Sequence, residues 1–139
     1  MPIPPDDVTL NKAAIIERSI RRMREEYAAC PGLDNFTHVD ALTLNLERAC
    51  QAAIDLAMHG VAHAHLGMPQ SSADAFVLLG RAGRISDATV RAMVAMTGFR
   101  NVAIHEYRDL DLGILRTIVE GGWTSLVGFC AEMGTTIRP

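Results

Sequence analysis

Near the start of the chain, apolar residues fall at Leu10, Ala13, Ile16, Ile20, Met23 and Tyr27. Steps of three and four lay such residues along one stripe of a helix. A first helix is therefore expected, stopped by Pro31-Gly32. Thr37, with Asp40 three residues on, resembles a capping box and opens a second helix. Its stripe runs Leu42, Leu46, Ala49, Ala53, Leu56 and Gly60, and Gly67-Met68-Pro69 ends it. A short third helix opens near Ser71 or Ser72, carries Phe76 and Leu79, and weakens at Gly80 and Gly83. Ser86 caps a fourth, with Val90, Met93, Val94 and Thr97 on one side. Asp109 or Asp111 starts the last, along Leu115, Val119, Gly122, Leu126, Phe129 and Met133. Strict alternation and hairpin dipeptides, the marks of strands, are absent. The expected fold class is all-α: an up-and-down bundle of three or four long helices plus a short one.

Composition changes this picture little. The 139 residues, 49% apolar, suit one domain over 1–139 with a real core, its first residues, 1–8, forming a loose segment. No apolar run approaches the ~18 residues that span a membrane. The N-terminus lacks the basic-then-apolar order of a signal peptide, which points to the cytoplasm. Cys30, Cys50 and Cys130 have no metal-ligand spacing and read as buried small hydrophobes. A net charge of −3 excludes a bulk polyanion binder. The basic set is nevertheless lopsided, with arginine everywhere except Lys12. Arginine grips phosphate through a planar fork, but a codon bias explains the count equally well.

The densest reactive cluster is Gly98-Phe99-Arg100-Asn101-Val102-Ala103-Ile104-His105-Glu106-Tyr107-Arg108. RNA cleavage needs a group that moves a proton near neutral pH, as histidine can, and a group that holds the phosphate, as arginine can. It needs no metal, because the 2′-hydroxyl is an internal nucleophile. Five residues apart on a helix, Arg100 and His105 lie about 140° apart, so they can border one cleft but do not share a face. A site composed across a two-fold axis suits that spacing. Spacing alone leaves a plain alternative open, in which Arg100 merely pairs with Glu106 or Asp109.

The order Arg100-Asn101, then His105, then Tyr107 resembles the signature of HEPN-domain toxins of the HepT kind. The likeness extends to Ala52-Ala53-Ile54-Asp55-Leu56-Ala57-Met58-His59 and to Pro69, Ala75-Phe76, Leu78-Leu79 and Gly83. In all it covers about residues 10 to 135. The chain departs from the pattern after Pro69, where Gln70-Ser71-Ser72-Ala73 stands in place of an expected aromatic. The resemblance implies an all-helical homodimer with its cleft at the interface and metal-independent endoribonuclease activity by Arg100 and His105. It also implies a nucleotidyltransferase antitoxin that silences the toxin by transferring AMP to Tyr107.

Other candidates are weaker. His59 and His63 share a helix face and could chelate a metal, with His65 nearby, but they read better as a polar helix end. Asp55, one turn before His59, either lines the cleft or is a satisfied carboxylate; Glu106 is a further cleft candidate. Arg18, Arg21, Arg22 and Arg108 are candidate RNA-backbone contacts. Pairing of Arg18 and Arg21 with Glu25 explains part of that run. Trp123 is expected in the core or a dimer contact, and Tyr27 on the apolar stripe is expected to be a poor AMP acceptor.

The sequence therefore reads as a cytoplasmic ribonuclease toxin with no cofactor and no metal. Arg100 holds phosphate, His105 moves the proton, Asn101 orients, and Tyr107 accepts AMP. The alternative is a non-catalytic helical module that binds a nucleotidyltransferase and presents substrate to it.

Overall fold

The computed structural model describes residues 4–105 and 111–139, with Ile104 and His105 described in their backbone only. Its helices are α1 (Asp7–Ala29), α2 (Phe36–His63), α3 (Ser72–Arg81), α4 (Asp87–His105), α5 (Leu112–Thr117) and α6 (Thr124–Glu132). Among the described residues there is no strand, in keeping with the expected helical bundle.

Helix α1 starts inside the stretch expected to be loose, because the Asp6 carboxylate accepts from the Thr9 N–H at 2.9 Å and caps it. Helix α2 is capped by Asn35, whose Oδ1 accepts from the N–H groups of Thr37 at 3.0 Å and His38 at 3.4 Å. Thr37 thus lies within the first turn and is not the cap that the capping-box spacing suggested. Ser71 and Ser86 cap α3 and α4 as their spacing predicts, and Asp111 caps α5.

Three helix ends share one device. After α3, Gly83 at φ 73° lets its N–H reach Gly80 O and the next N–H reach Leu79 O. After α6, Gly134 at φ 100° does the same. After α2 the left-handed position is taken by His65 at φ 54°, with Leu66 N–H on Val61 O at 3.0 Å. The helix therefore ends before Gly67, the terminator expected from sequence.

The last helix is split. Between α5 and α6 the chain makes a π turn over Ile118–Gly122, with Trp123 N–H bonded to Ile118 O at 3.0 Å. The extra residue re-phases the apolar stripe, so Leu115, Ile118 and Val119 face the core on one side, and Leu126, Phe129 and Cys130 on the other.

The core is continuous. Ile16, Ile20 and Met23 of α1 meet Leu42, Leu46 and Leu56 of α2, all fully buried. Phe76 and Phe129 pack edge to face at 5.3 Å. Leu10, expected on the stripe, is exposed. Lys12 contacts Asp55 and His38 contacts Glu26, so α1 and α2 run antiparallel in fixed register. This hairpin is the floor on which α4 sets the candidate site.

Candidate active site

Helix α2 carries a polar stripe at every fourth position: Glu47, Gln51, Asp55, His59 and His63. On a helix these share a face. Gln51, in the middle of this stripe, is what Arg100 of α4 meets where the two helices cross.

At that crossing Arg100, half-buried on α4, donates through Nη2 to Gln51 Oε1 of α2. Its Nη1 donates to Asn101 Oδ1 at 3.0 Å. Among the described residues its buried Nε–H meets no acceptor. Gln51 in turn donates to Asp55 Oδ1 at 2.9 Å, and Lys12 of α1 donates to Asp55 Oδ2 at 3.2 Å. Three helices thus fix one guanidinium through a chain of Lys12, Asp55, Gln51 and Arg100. Its one carboxylate, Asp55, pairs directly with the Lys12 ammonium and is linked to the Arg100 cation through the neutral Gln51 amide.

Two neighbours feel Arg100. Burial raises the Glu47 carboxyl above its ordinary value, and the guanidinium partly offsets this. Burial pushes the Cys50 thiol up to about 12, so it is inert at neutral pH and acts as core. All three cysteines are free and buried, as expected.

Of the residues singled out from sequence, the structure brings together Arg100, Asn101 and Asp55. Gln51, which joins them, was missed, as was Glu47. The four-residue polar spacing along α2 was the available signal, and it was read only at Asp55, His59 and His63. His105 ends α4. Its side chain, and the whole of Glu106, Tyr107 and Arg108, lie outside the described residues.

His59 is not brought to Arg100. Its Nε2 meets Asp6 Oδ2 at 2.6 Å and its ring stacks on His63 at 6.0 Å. Both line a separate cavity of about 170 Å³ with Pro4, Pro5 and Arg84. Among the described residues no cluster of three metal-binding side chains forms. Arg21 turns away as well, pairing with Glu17 at 3.7 Å and donating to Arg138 O at 3.3 Å. Glu25 is taken by Arg22, which also bonds Glu26 at 3.0 Å, so the pairing of Glu25 with Arg18 and Arg21 does not form.

Trp123 is partly buried with the Arg24 guanidinium 4.5 Å above its ring. It edges a cavity of about 730 Å³ that also includes Tyr27 and Glu120. The Tyr27 hydroxyl donates to Glu120 at 2.6 Å and accepts from Arg116 at 3.1 Å. The carboxylate beside it raises its pKa. No helix among the described residues is long and apolar enough to cross a membrane.

Comparison with known proteins gives consistent matches. Residues 12–133 match the model of the family described as ribonuclease HepT-like. The mRNA nuclease HepT of Shewanella oneidensis is 38% identical over 116 residues, which are 83% of this chain and 87% of that protein. A tri-AMPylated Shewanella oneidensis HEPN toxin, solved in complex with its MNT antitoxin, superposes with a TM-score of 0.88 at 35% identity. That match covers 93% of this chain and 98% of the other. A toxin–antitoxin complex with AMP-PNP superposes equally well, with a TM-score of 0.88 at 34% identity over 92% and 98% of the two chains.

Proposed function

The chain belongs to the ribonuclease HepT-like family, and from that premise we propose that it is an endoribonuclease toxin whose Arg100 clamps the scissile phosphate. The observation that carries this is the state of the guanidinium. Gln51 and Asn101 hold its two terminal nitrogens, and its Nε–H has no acceptor among the described residues. A planar cation fixed by neutral acceptors, with a donor to spare, suits a phosphate oxygen.

In this reading His105 takes the proton of the RNA 2′-hydroxyl or hands one to the departing 5′-oxygen. The 2′-oxygen–phosphorus bond forms as the phosphorus–5′-oxygen bond breaks. The products are a 2′,3′-cyclic phosphate and a 5′-hydroxyl, with no metal in the cycle. Arg100 neutralises the charge that builds on the phosphoryl oxygens. Asn101 orients the guanidinium.

The partner in this reading is a nucleotidyltransferase antitoxin that transfers AMP to Tyr107, as the AMPylated state and the MNT antitoxin of the Shewanella relative suggest. In this reading the protein acts as a homodimer; Val102 within the signature and Leu112 and Ile114 after it are exposed apolar side chains near the motif that a second copy could cover. The proposed compartment is the cytoplasm, where the RNA lies. Induced expression tests the proposal. The wild type should arrest growth and fragment RNA, and His105→Ala should do neither. Growth arrest by His105→Ala equal to wild type would reject it.

A further inference from the structure

A second concentration of arginine lies along the α1/α2 seam, outside the network around Arg100. Arg18 and Arg22 of α1 and Arg48 of α2 border a groove of about 380 Å³, completed by Ile15, Ser19 and Asn45. The antiparallel register set by the Lys12–Asp55 and Glu26–His38 contacts puts Arg18 opposite Arg48. Arg22 is already neutralised by Glu25 and Glu26. Arg18 and Arg48 are not: both are exposed, and among the described residues neither makes an ion pair or a hydrogen bond. Two like charges held across one groove without a counterion repel each other, and a bound anion relieves that repulsion. The groove floor is polar. Ser19 is 2% exposed and Asn45 8%, and Asn45 spends one N–H on Ala41 O at 2.8 Å, leaving the other.

We propose that this groove holds a second phosphate of the RNA strand, flanking the one at Arg100 and gripped by Arg18 from α1 and Arg48 from α2. The proposal rests on the ribonuclease reading. What ties the two positions together is α2 itself. Arg48 precedes Gln51, the anchor of Arg100, by three residues, about 4.5 Å along the axis and on nearly the same face. A strand lying on Arg100 and running down the α1/α2 seam meets this groove next. The fork of each arginine takes phosphate oxygens, so the contact is blind to base identity and positions the strand without reading it. Arg21, on the neighbouring face and bonded to the C-terminal backbone, is left out.

Binding measured against salt tests this. The probe is a fluorescein-labelled 12-nucleotide single strand of 2′-O-methyl RNA, which the intact enzyme binds but cannot cut because the internal nucleophile is blocked. Neutralising one single-strand phosphate changes the slope of log K on log salt by ~0.7, which is about fourfold in affinity at 0.15 M salt. The doubly substituted Arg18→Gln/Arg48→Gln protein should bind about fourfold more weakly at 0.15 M and lose ~0.7 of the slope. Arg81→Gln, an exposed arginine on α3, should alter neither quantity. Matching melting temperatures establish that the variants are folded. If the double variant binds with the affinity and slope of Arg81→Gln, the groove holds no phosphate. The same holds if RNA binding persists and only capture of the antitoxin is lost, which would make the groove a protein contact. Cleavage of unmodified RNA by the wild type, run alongside, judges the ribonuclease reading separately: no cleavage sinks that reading whatever the groove binds.

Discussion

Replacing Gln51 with leucine keeps the volume and removes the acceptor that holds Arg100. Hydrogen bonds to charged groups contribute ~1.5–3 kcal/mol, and the half-buried setting of Arg100 argues for the lower end. A loss of ~1.5 kcal/mol in transition-state stabilisation is about tenfold in rate. Leucine also leaves Asp55 paired with Lys12, so the rest of the chain of contacts survives. Gln51→Leu is therefore expected to lower kcat/KM on a fluorescent RNA about tenfold, mostly through kcat, with a melting temperature within a few degrees of wild type. Gln51→Glu keeps an acceptor for the guanidinium and should retain more activity than the leucine variant. A Gln51→Leu enzyme within twofold of wild type, beside an inactive Arg100→Ala, would show that Gln51 does not position the guanidinium.

Other outcomes follow from the same contacts. In Gly80→Ala the new methyl collides with Val90 Cγ2 across the α3/α4 contact; overpacking costs ~1–3 kcal/mol, so the melting temperature should fall, and Val90→Ala in the same chain should restore it. Gly128→Ala meets nothing within 4 Å on α6 and should raise stability by ~0.5–1 kcal/mol. The Asp6 carboxyl is held well below the usual carboxylate range by the Thr9 backbone N–H and then by His59. A depressed folded pKa adds stability above the unfolded value of ~3.9, and that stability is lost as pH falls through and below it. The gap in melting temperature between wild type and Asp6→Asn should therefore be full near pH 6 and narrow as pH falls below about 4, closing only below the depressed folded value, and a gap unchanged from about pH 6 to about pH 2 would contradict the assignment. Tyr107→Phe should cleave RNA yet escape silencing on coexpression with the antitoxin, with mass spectrometry finding no AMP on its peptide; Tyr27, tied to Glu120 and Arg116, should stay unmodified in every sample.

Helix identity was legible because burial of one face is written in steps of three and four, as in Ala13, Ile16, Ile20 and Met23. Boundaries were less legible. Asn35 outcompeted the Thr37 capping box and His65 took the left-handed turn ahead of Gly67, because several capping residues stood close together and only tertiary packing chose between them. The π turn was hidden, since Leu115, Val119, Gly122 and Leu126 fit a plain helix just as well. Within the site, the Arg100–Asn101 pairing was readable from adjacency. The link to Gln51 was not, because it depends on where α4 crosses α2. Arg18, Arg21 and Arg22 looked equivalent in sequence, and the structure separates them by what each one pairs with.

If Arg100 and His105 cleave RNA without a metal, cleavage must survive chelation and depend on both side chains. Purified wild type, Arg100→Ala and His105→Ala proteins, each incubated with a labelled RNA in excess EDTA, test it in one assay with end-group analysis of the fragments. Wild type should cleave and leave 2′,3′-cyclic phosphate and 5′-hydroxyl ends, and neither variant should cleave. Wild-type activity that vanishes in EDTA and returns with Mg²⁺ or Zn²⁺, or a fully active His105→Ala protein, would contradict it.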